Sequence, residues 1–304
     1  MCLLASNSRR KFKNCSSISP PRFLHRKIEE ESLLAAKMFR AVALFGRKKS
    51  RPFKVYYNEW FNTLENSLLP RLRHALASAR SSTILSTHVD AIHRHFEAYY
   101  DALDLAATND VSQLLFPEWR NALEKPFLWL GDLHPYLFTK LLRSFLSEEE
   151  EEEPVIVTNF RESSDYLDKP WHILMAWESG CQDLMTRIEQ IECVLRLRLP
   201  SLVARGRKAQ SLFVERIGSN WGRSEGKDEE VKSAIGEAMA EEMEELVSVF
   251  VDANRLRISV LTDILSATNV YQAALFLEGL AQFLVGFHDQ KLLREFDKSK
   301  TVID

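Results

Sequence analysis

Apolar residues recur at three- and four-residue steps through most of this chain, and that spacing restricts the fold more than any other feature. Phe53, Tyr57, Trp60, Phe61, Leu64, Leu68 and Leu72 share one side of a helix. Leu85, Val89, Ile92, Phe96, Tyr99, Leu103 and Ala106 form a second stripe. Trp171, Leu174, Trp177, Cys181, Leu184, Ile188, Ile191 and Leu195 line a third, which Pro200 is expected to interrupt. Val231, Ile235 and Ala238, then Leu246, Val249, Ala253, Leu256 and Val260, make a fourth, and an apolar helix over about 269–287 closes the chain. No run alternates with a period of two, and no internal repeat is visible. With ten Gly and ten Pro in 304 residues, few sharp turns are available. The expected fold class is all-α, a multi-helix bundle of long amphipathic helices.

Punctuation refines this. Pro70 lies inside the first stripe and should kink or end that helix near its middle. Asn109 and Asp110 have cap chemistry. Pro117 and Pro135 fit the first turn of new helices. Six consecutive glutamates, residues 148–153, repel one another and open an acidic interhelical linker over 147–169. The stretch 218–226, GSNWGRSEG, reads as a loop. The expected organisation is a basic arm over 1–52, a helical domain over 53–290 and a tail over 291–304.

The net charge of −3 hides an asymmetry. Residues 1–54 hold fourteen Lys or Arg and three Glu, so the arm is +11 and the remainder −14. Within the arm, 1–37 is Ser-rich and basic. An organelle transit peptide, a disordered tail and an extension upstream of a start at Met38 all fit it. In 38–54, a short apolar segment meets Arg47, Lys48, Lys49, Arg51 and Lys54. Such a patch suits an anionic lipid surface, and suits nuclear import or a solvated linker as well. An acidic body repels phosphate, so direct nucleic-acid binding is not expected. Four scattered cysteines make no disulfide scaffold, and they fit a reducing compartment. No apolar run reaches the ~18 residues of a membrane span.

Catalytic signatures are absent: there is no GxSxG, GxGxxG or HExxH. The nearest phosphate-loop likeness, Gly222 to Gly226 with Lys227 and Asp228, is one residue short and puts a carboxylate where a hydroxyl is needed. His88, His93 and His95 share a helix without the i, i+4 spacing that two ligands of one metal require. They read as boundary residues. No enzyme activity and no cofactor or metal is expected.

One stretch leaves a choice. EKPFLWLGDLHPYLF, residues 124–138, gathers Trp129, Gly131, Asp132 and His134, which would suit either a pocket or a packed corner. Its apolar run favours the corner: Phe127, Leu128, Trp129 and Leu130 cannot all face water. Gly131 can take the left-handed conformation that stops a helix, and Pro135 can start the next. His134 is the side chain to revisit should a ligand be found.

YYNEWFNTL, the segment HFEAYYDALDLAATNDVSQLLFPEWRNALEKPFLWLGDLHPYLFTKLL, and DANRLRISVLTDILSATNVYQAALFLEGLAQFL together resemble the plant Delay Of Germination domain family, over roughly residues 53–290. The same domain ends the TGA-type leucine-zipper factors. Tyr57, Trp60, Trp119, Phe127, Trp129 and Gly131 carry the resemblance as core landmarks. No zipper or DNA-contacting basic region precedes the domain here, and Gly131 is followed by Asp132 where the family often has a second glycine. Within the family, residues 101–146 most resemble its pollen-aperture branch. That resemblance implies a non-enzymatic scaffold acting through protein partners at the plasma-membrane periphery or in the cytoplasm. A nuclear cofactor role and association with a second copy stay open.

Overall fold

The computed structural model describes residues 52–78, 81–146, 175–177, 181–221 and 228–299. The basic arm, with Arg47, Lys48, Lys49 and Arg51, lies outside the described residues, as do Trp171, Leu174 and the linker 147–169. The described part is all-α apart from one two-residue hairpin.

Helices α1 (Phe53–Thr63) and α2 (Leu69–Ala77) are joined through a π turn, Leu64–Leu68. Pro70 neither ends nor interrupts this run. The proline cannot donate to the turn before it. The chain widens just upstream instead, with Leu69 N–H reaching Leu64 O five residues back. Helix α3 (Ser82–Asp110) starts where the Ser81 hydroxyl accepts from Thr83 N–H, and it buries Leu85, Val89, Ile92, Phe96, Tyr99, Tyr100 and Leu103. Asp110 Oδ1 accepts from Gln113 N–H and turns the chain into the short α4 (Ser112–Leu115).

The expected helix at Pro117 does not form. Residues 117–124 are turns, with Arg120 N–H bonded to Pro117 O. After a 3-10 turn, Lys125–Phe127, come strands β1 (Leu128–Trp129) and β2 (Asp132–Leu133), paired antiparallel. Pro135 caps α5 (Tyr136–Ser144), as expected.

The second half is dominated by an antiparallel pair, α6 (Cys181–Trp221) and α7 (Asp228–Ala267). Pro200 does not interrupt α6: it is exposed, and the helix continues through it to Trp221, so residues 218–221 of the expected loop are helical. Trp177 does not lie on α6 but in a separate 3-10 turn, where it stacks on Phe145 at 5.1 Å. The fourth stripe also shifts. Leu256 is half-buried and its neighbour Arg257 is fully buried.

Helix α8 (Val270–Gly286) is the apolar helix expected near 269–287. Asn269 and Gln272 make a reciprocal capping box at its start. It runs between α3, α2 and α5, which explains why Ala273 through Leu277 are all buried. Part of the expected C-terminal tail forms α9 (Gln290–Ser299). No single described helix is long and apolar enough to cross a membrane.

The α6–α7 seam contains one misfit. Glu242 is buried between Ala238 and Leu246 on the α6-facing side of α7. Burial pushes its carboxyl up to about 7. A raised carboxyl contributes most when both states are protonated, below the unfolded value near 4.5, and the contribution is lost as pH rises toward 7. Glu242→Gln is therefore expected to change stability little at pH 4 and to stabilise by about 1–3 kcal/mol at pH 8. Urea denaturation at the two pH values checks this; equal effects at both would contradict it.

Candidate functional site

The corner at residues 124–138 is held by two buried arginines. The β1–β2 hairpin pairs Leu128 with Leu133 and Trp129 with Asp132, leaving Leu130 and Gly131 as a two-residue turn. Both have positive φ, 44° and 84°, the combination that matches the twist of a tight hairpin. Gly131 thus takes the expected left-handed conformation, but in a strand turn rather than at a helix end. A Cβ there would lie 2.2 Å from Leu114 O and 2.8 Å from the Phe250 ring.

Arg257 of α7 clamps this turn. Its Nε donates to Leu133 O at 2.8 Å, and its Nη2 to the carbonyls of Trp129, Leu130 and Asp132. Nη1 donates to Asn254 Oδ1, and Asn254 in turn donates to Asp104 of α3. Burial lowers the Arg257 pKa from its ordinary value, and Asp132 opposes that shift. Trp129 and Leu130, with Leu256, pack on Leu202, Val249 and Ala253, wedging the hairpin against α6 and α7.

Arg120 binds the other side of the same corner. Nη1 donates to Glu124 Oε2 at 2.8 Å and to Tyr57 OH at 3.0 Å; Nη2 donates to Tyr99 OH at 2.6 Å and to Asp132 Oδ1 at 3.0 Å. The guanidinium also lies 4.2 Å from the Tyr57 ring centre and 5.0 Å from that of Trp119. Burial alone would lower its pKa, but Tyr99, Asp132, Tyr57 and Glu124 outweigh it and hold it above the ordinary value. Burial pushes Glu124 up, while His288 and Arg120 overcome that and bring it below the usual carboxylate range. Burial raises Tyr57 and Tyr99, so both phenols keep their protons. Asp132 Oδ1 also accepts from Leu133 N–H at 2.8 Å.

The landmark residues converge here. Tyr57 lies 4.8 Å from Trp119, and Phe127 packs on Phe283 and Phe287. Trp60 donates to His95 O, and the His95 ring nitrogen donates to Trp60 O at 3.0 Å, with the two rings stacked. Burial lowers the His95 pKa. His93 bonds Thr262 Oγ1, and His134 accepts from Tyr136 N–H through Nδ1. Burial, then Arg257 and Lys140, lower His134 to about 4, so it is neutral at pH 7. These contacts tie all three rings into the protein. Lys54 is exposed on the first turn of α1, apart from this cluster. Among the described residues, no three His, Cys, Asp or Glu side chains come together as a metal site.

Arg120, Glu124 and Arg257 were not singled out by sequence reading, yet each left a trace. Arg120 and Glu124 stand four residues apart inside an apolar segment, and Arg257 interrupts the core side of the fourth stripe between Ala253 and Val260. The corner can orient a backbone turn and fix four helices, α1, α3, α6 and α7. Most of its donors and acceptors are spent on one another, which is chemistry of packing, while Trp119 Nε1, Arg120 Nε and Asp132 Oδ2 are buried without a hydrogen-bond partner among the described residues.

Similarity to known proteins places this architecture. Over 272 residues the chain is 48% identical to Protein INAPERTURATE POLLEN1 of Arabidopsis thaliana, covering 84% of this chain and 97% of that protein. The chain belongs to the Inaperturate Pollen family. A homologue from Oryza sativa subsp. japonica is 34% identical over 258 residues, 82% of this chain and 90% of that protein. The domain family described as seed dormancy control, DOG1, matches residues 68–144, which take in Trp119, Phe127, Trp129 and Gly131. Transcription factor TGA5 of Arabidopsis thaliana is 31% identical over 116 residues, 38% of this chain and 35% of that factor. Within the Inaperturate Pollen family, then, likeness runs along nearly the whole protein; with the TGA factors it is confined to part of it. None of these relatives is named as an enzyme.

Proposed function

We propose that this chain is a non-enzymatic pollen aperture factor. It is a helical scaffold that acts through protein partners at the inner face of the plasma membrane and defines domains where exine is withheld. The observation that carries this reading is the likeness to Protein INAPERTURATE POLLEN1 along 97% of that protein. The buried arginine corner supports it, because its polar groups hold the helices together instead of opening onto a reacting molecule. In this reading residues 53–290 act as one helical domain. Arg47, Lys48, Lys49, Arg51 and Lys54 assist contact with anionic lipid, each contributing ~1 kcal/mol near the headgroups. The chain resides in the cytoplasm and at the membrane periphery.

A fluorescent fusion starting at Met38, expressed in Arabidopsis thaliana lacking INAPERTURATE POLLEN1, tests this. Peripheral patches in tetrads and restored apertures are expected. A stable fusion that leaves the pollen without apertures would reject the reading. The partial likeness to TGA factors favours a second reading, a nuclear transcriptional cofactor with 47–51 as import signal. Nuclear fluorescence abolished by changing Arg47, Lys48, Lys49 and Arg51 to Glu would replace the first reading with the second.

A further inference from the structure

The longest surface helix carries a charge pattern unlike the rest of the body. From 193 to 214, CVLRLRLPSLVARGRKAQSLFV, there is no Asp or Glu, and there are five Lys or Arg, in a chain whose residues after 54 sum to −14. All 22 residues lie within the single helix α6. They extend over roughly 33 Å at ~1.5 Å per residue. One side, with Leu195, Leu199, Leu202 and Ala209, is buried. The other presents Arg196, Arg198, Arg207 and Lys208 to solvent.

Apolar side chains are interleaved with these cations. Val194 is 50% exposed, Leu197 72%, Leu212 46% and Val214 57%; among the described residues, four of the seven large hydrophobic side chains most open to water lie on this one segment. Carboxylates of the neighbouring helix reach the segment at Arg205, on its α7 edge. Glu245 and Asp252 of α7 are engaged with Arg205, and Glu241 with Arg216. Glu192, just before the segment, is turned to Arg143 of α5.

We propose that the solvent side of α6 over residues 193–214 is a lipid-facing surface that lies along an anionic membrane. Charge complementarity selects this occupant. A sheet of anionic headgroups meets the helix along its whole length and disfavours carboxylates on it, and residues 193–214 themselves carry none. The aliphatic side chains enter the headgroup boundary, and the arginines and Lys208 keep their charges at phosphate level. The surface belongs to the folded body and acts with the basic arm, since one weak element alone gives marginal attachment. This inference rests on the reading that the chain works at the plasma membrane.

Vesicle co-sedimentation of the full chain tests it, with phosphatidylcholine vesicles containing or lacking phosphatidylserine. The variant Val194→Asp/Leu197→Asp/Leu212→Asp changes only exposed positions, and thermal unfolding by circular dichroism confirms that it folds. It is expected to partition at least about tenfold less onto anionic vesicles. The arm variant with Arg47, Lys48, Lys49 and Arg51 changed to Glu is expected to keep measurable binding, and combining both sets should abolish it. An environment-sensitive dye on the exposed Cys193, with Cys2, Cys15 and Cys181 changed to Ser, should shift to the blue with anionic vesicles and not with neutral ones. A folded α6 variant that binds like the wild type overturns the inference and leaves the arm reading standing. A dye shift produced by a poly-glutamate peptide but not by vesicles overturns it in favour of an acidic polypeptide. If the unaltered chain binds no anionic vesicle, the membrane element of the proposed function falls as well.

Discussion

Gly131→Ala is expected to destabilise the helical body by about 2–5 kcal/mol. Two costs add at this position. A left-handed residue with a Cβ costs roughly 1–2 kcal/mol against glycine. Overpacking usually costs about 1–3 kcal/mol, and here the nearest atom is a backbone carbonyl. The new methyl group would lie 2.2 Å from Leu114 O and 2.8 Å from Phe250, so either the hairpin or α4 must move. Movement of the hairpin would also disturb the carbonyls that Arg257 holds. For a body of this size, the loss corresponds to a fall in Tm of the order of 10 °C. Thermal unfolding by circular dichroism measures it; a fall under about 2 °C would mean that the turn is not held as described.

Arg120→Met is expected to cost a similar 3–5 kcal/mol at pH 7, for an electrostatic reason. Glu124 and Asp132 are almost fully buried, and Arg120 supplies the cation in contact with both. Removing one member of a buried ion pair leaves the other charge uncompensated. The pH dependence separates this from a simple packing defect. In the native protein Glu124 sits below its unfolded value near 4.5. Its contribution is present above that pH and is lost as pH falls through the lowered folded value. In the variant the source of much of that lowering is gone, so acid removes less. The gap between wild type and Arg120→Met should therefore narrow as pH is taken from 7 to below 4.5. Urea titrations across that range decide it. A constant gap would assign the cost to lost volume and lost ring contacts with Tyr57 and Trp119.

Together these two changes test the corner as a structural unit from opposite sides: one through backbone conformation, the other through charge. The helical body as a whole is expected to loosen with them, because the corner joins α1, α3, α6 and α7. An exposed change on α6, such as Leu197→Asp, should leave Tm nearly unaltered, since Leu197 is 72% exposed.

The helical stripes were legible in the sequence because an amphipathic helix writes its period directly into the order of residues. The stripes over α1–α2, α3, most of α6 and α7 were recovered, and the limits of α8 were nearly right. Prolines were read less well. Pro70 and Pro200 were expected to break helices, yet one is absorbed by a widened turn and the other lies exposed in a helix anchored by Leu195, Leu199 and Leu202. Local propensity yields there to packing along the rest of the helix. Pro117 failed in the other direction, because Arg120 and Glu124 hold the segment as turns around a guanidinium.

The sequence by itself determined an all-α body, an apolar corner at FLWLG, and left-handed freedom at Gly131. All three follow from residue type and near-neighbour spacing. Only the tertiary structure decided that the corner is a hairpin, and that Arg120 and Arg257 bind it from opposite sides. Those partners lie as far apart as Trp129 and Arg257, and no local periodicity records which distant side chain will meet a given carbonyl. It likewise decided which side of α6 is buried against α7 and which carries its cations and aliphatic groups into solvent, because a helix's free side is defined by what packs against the other.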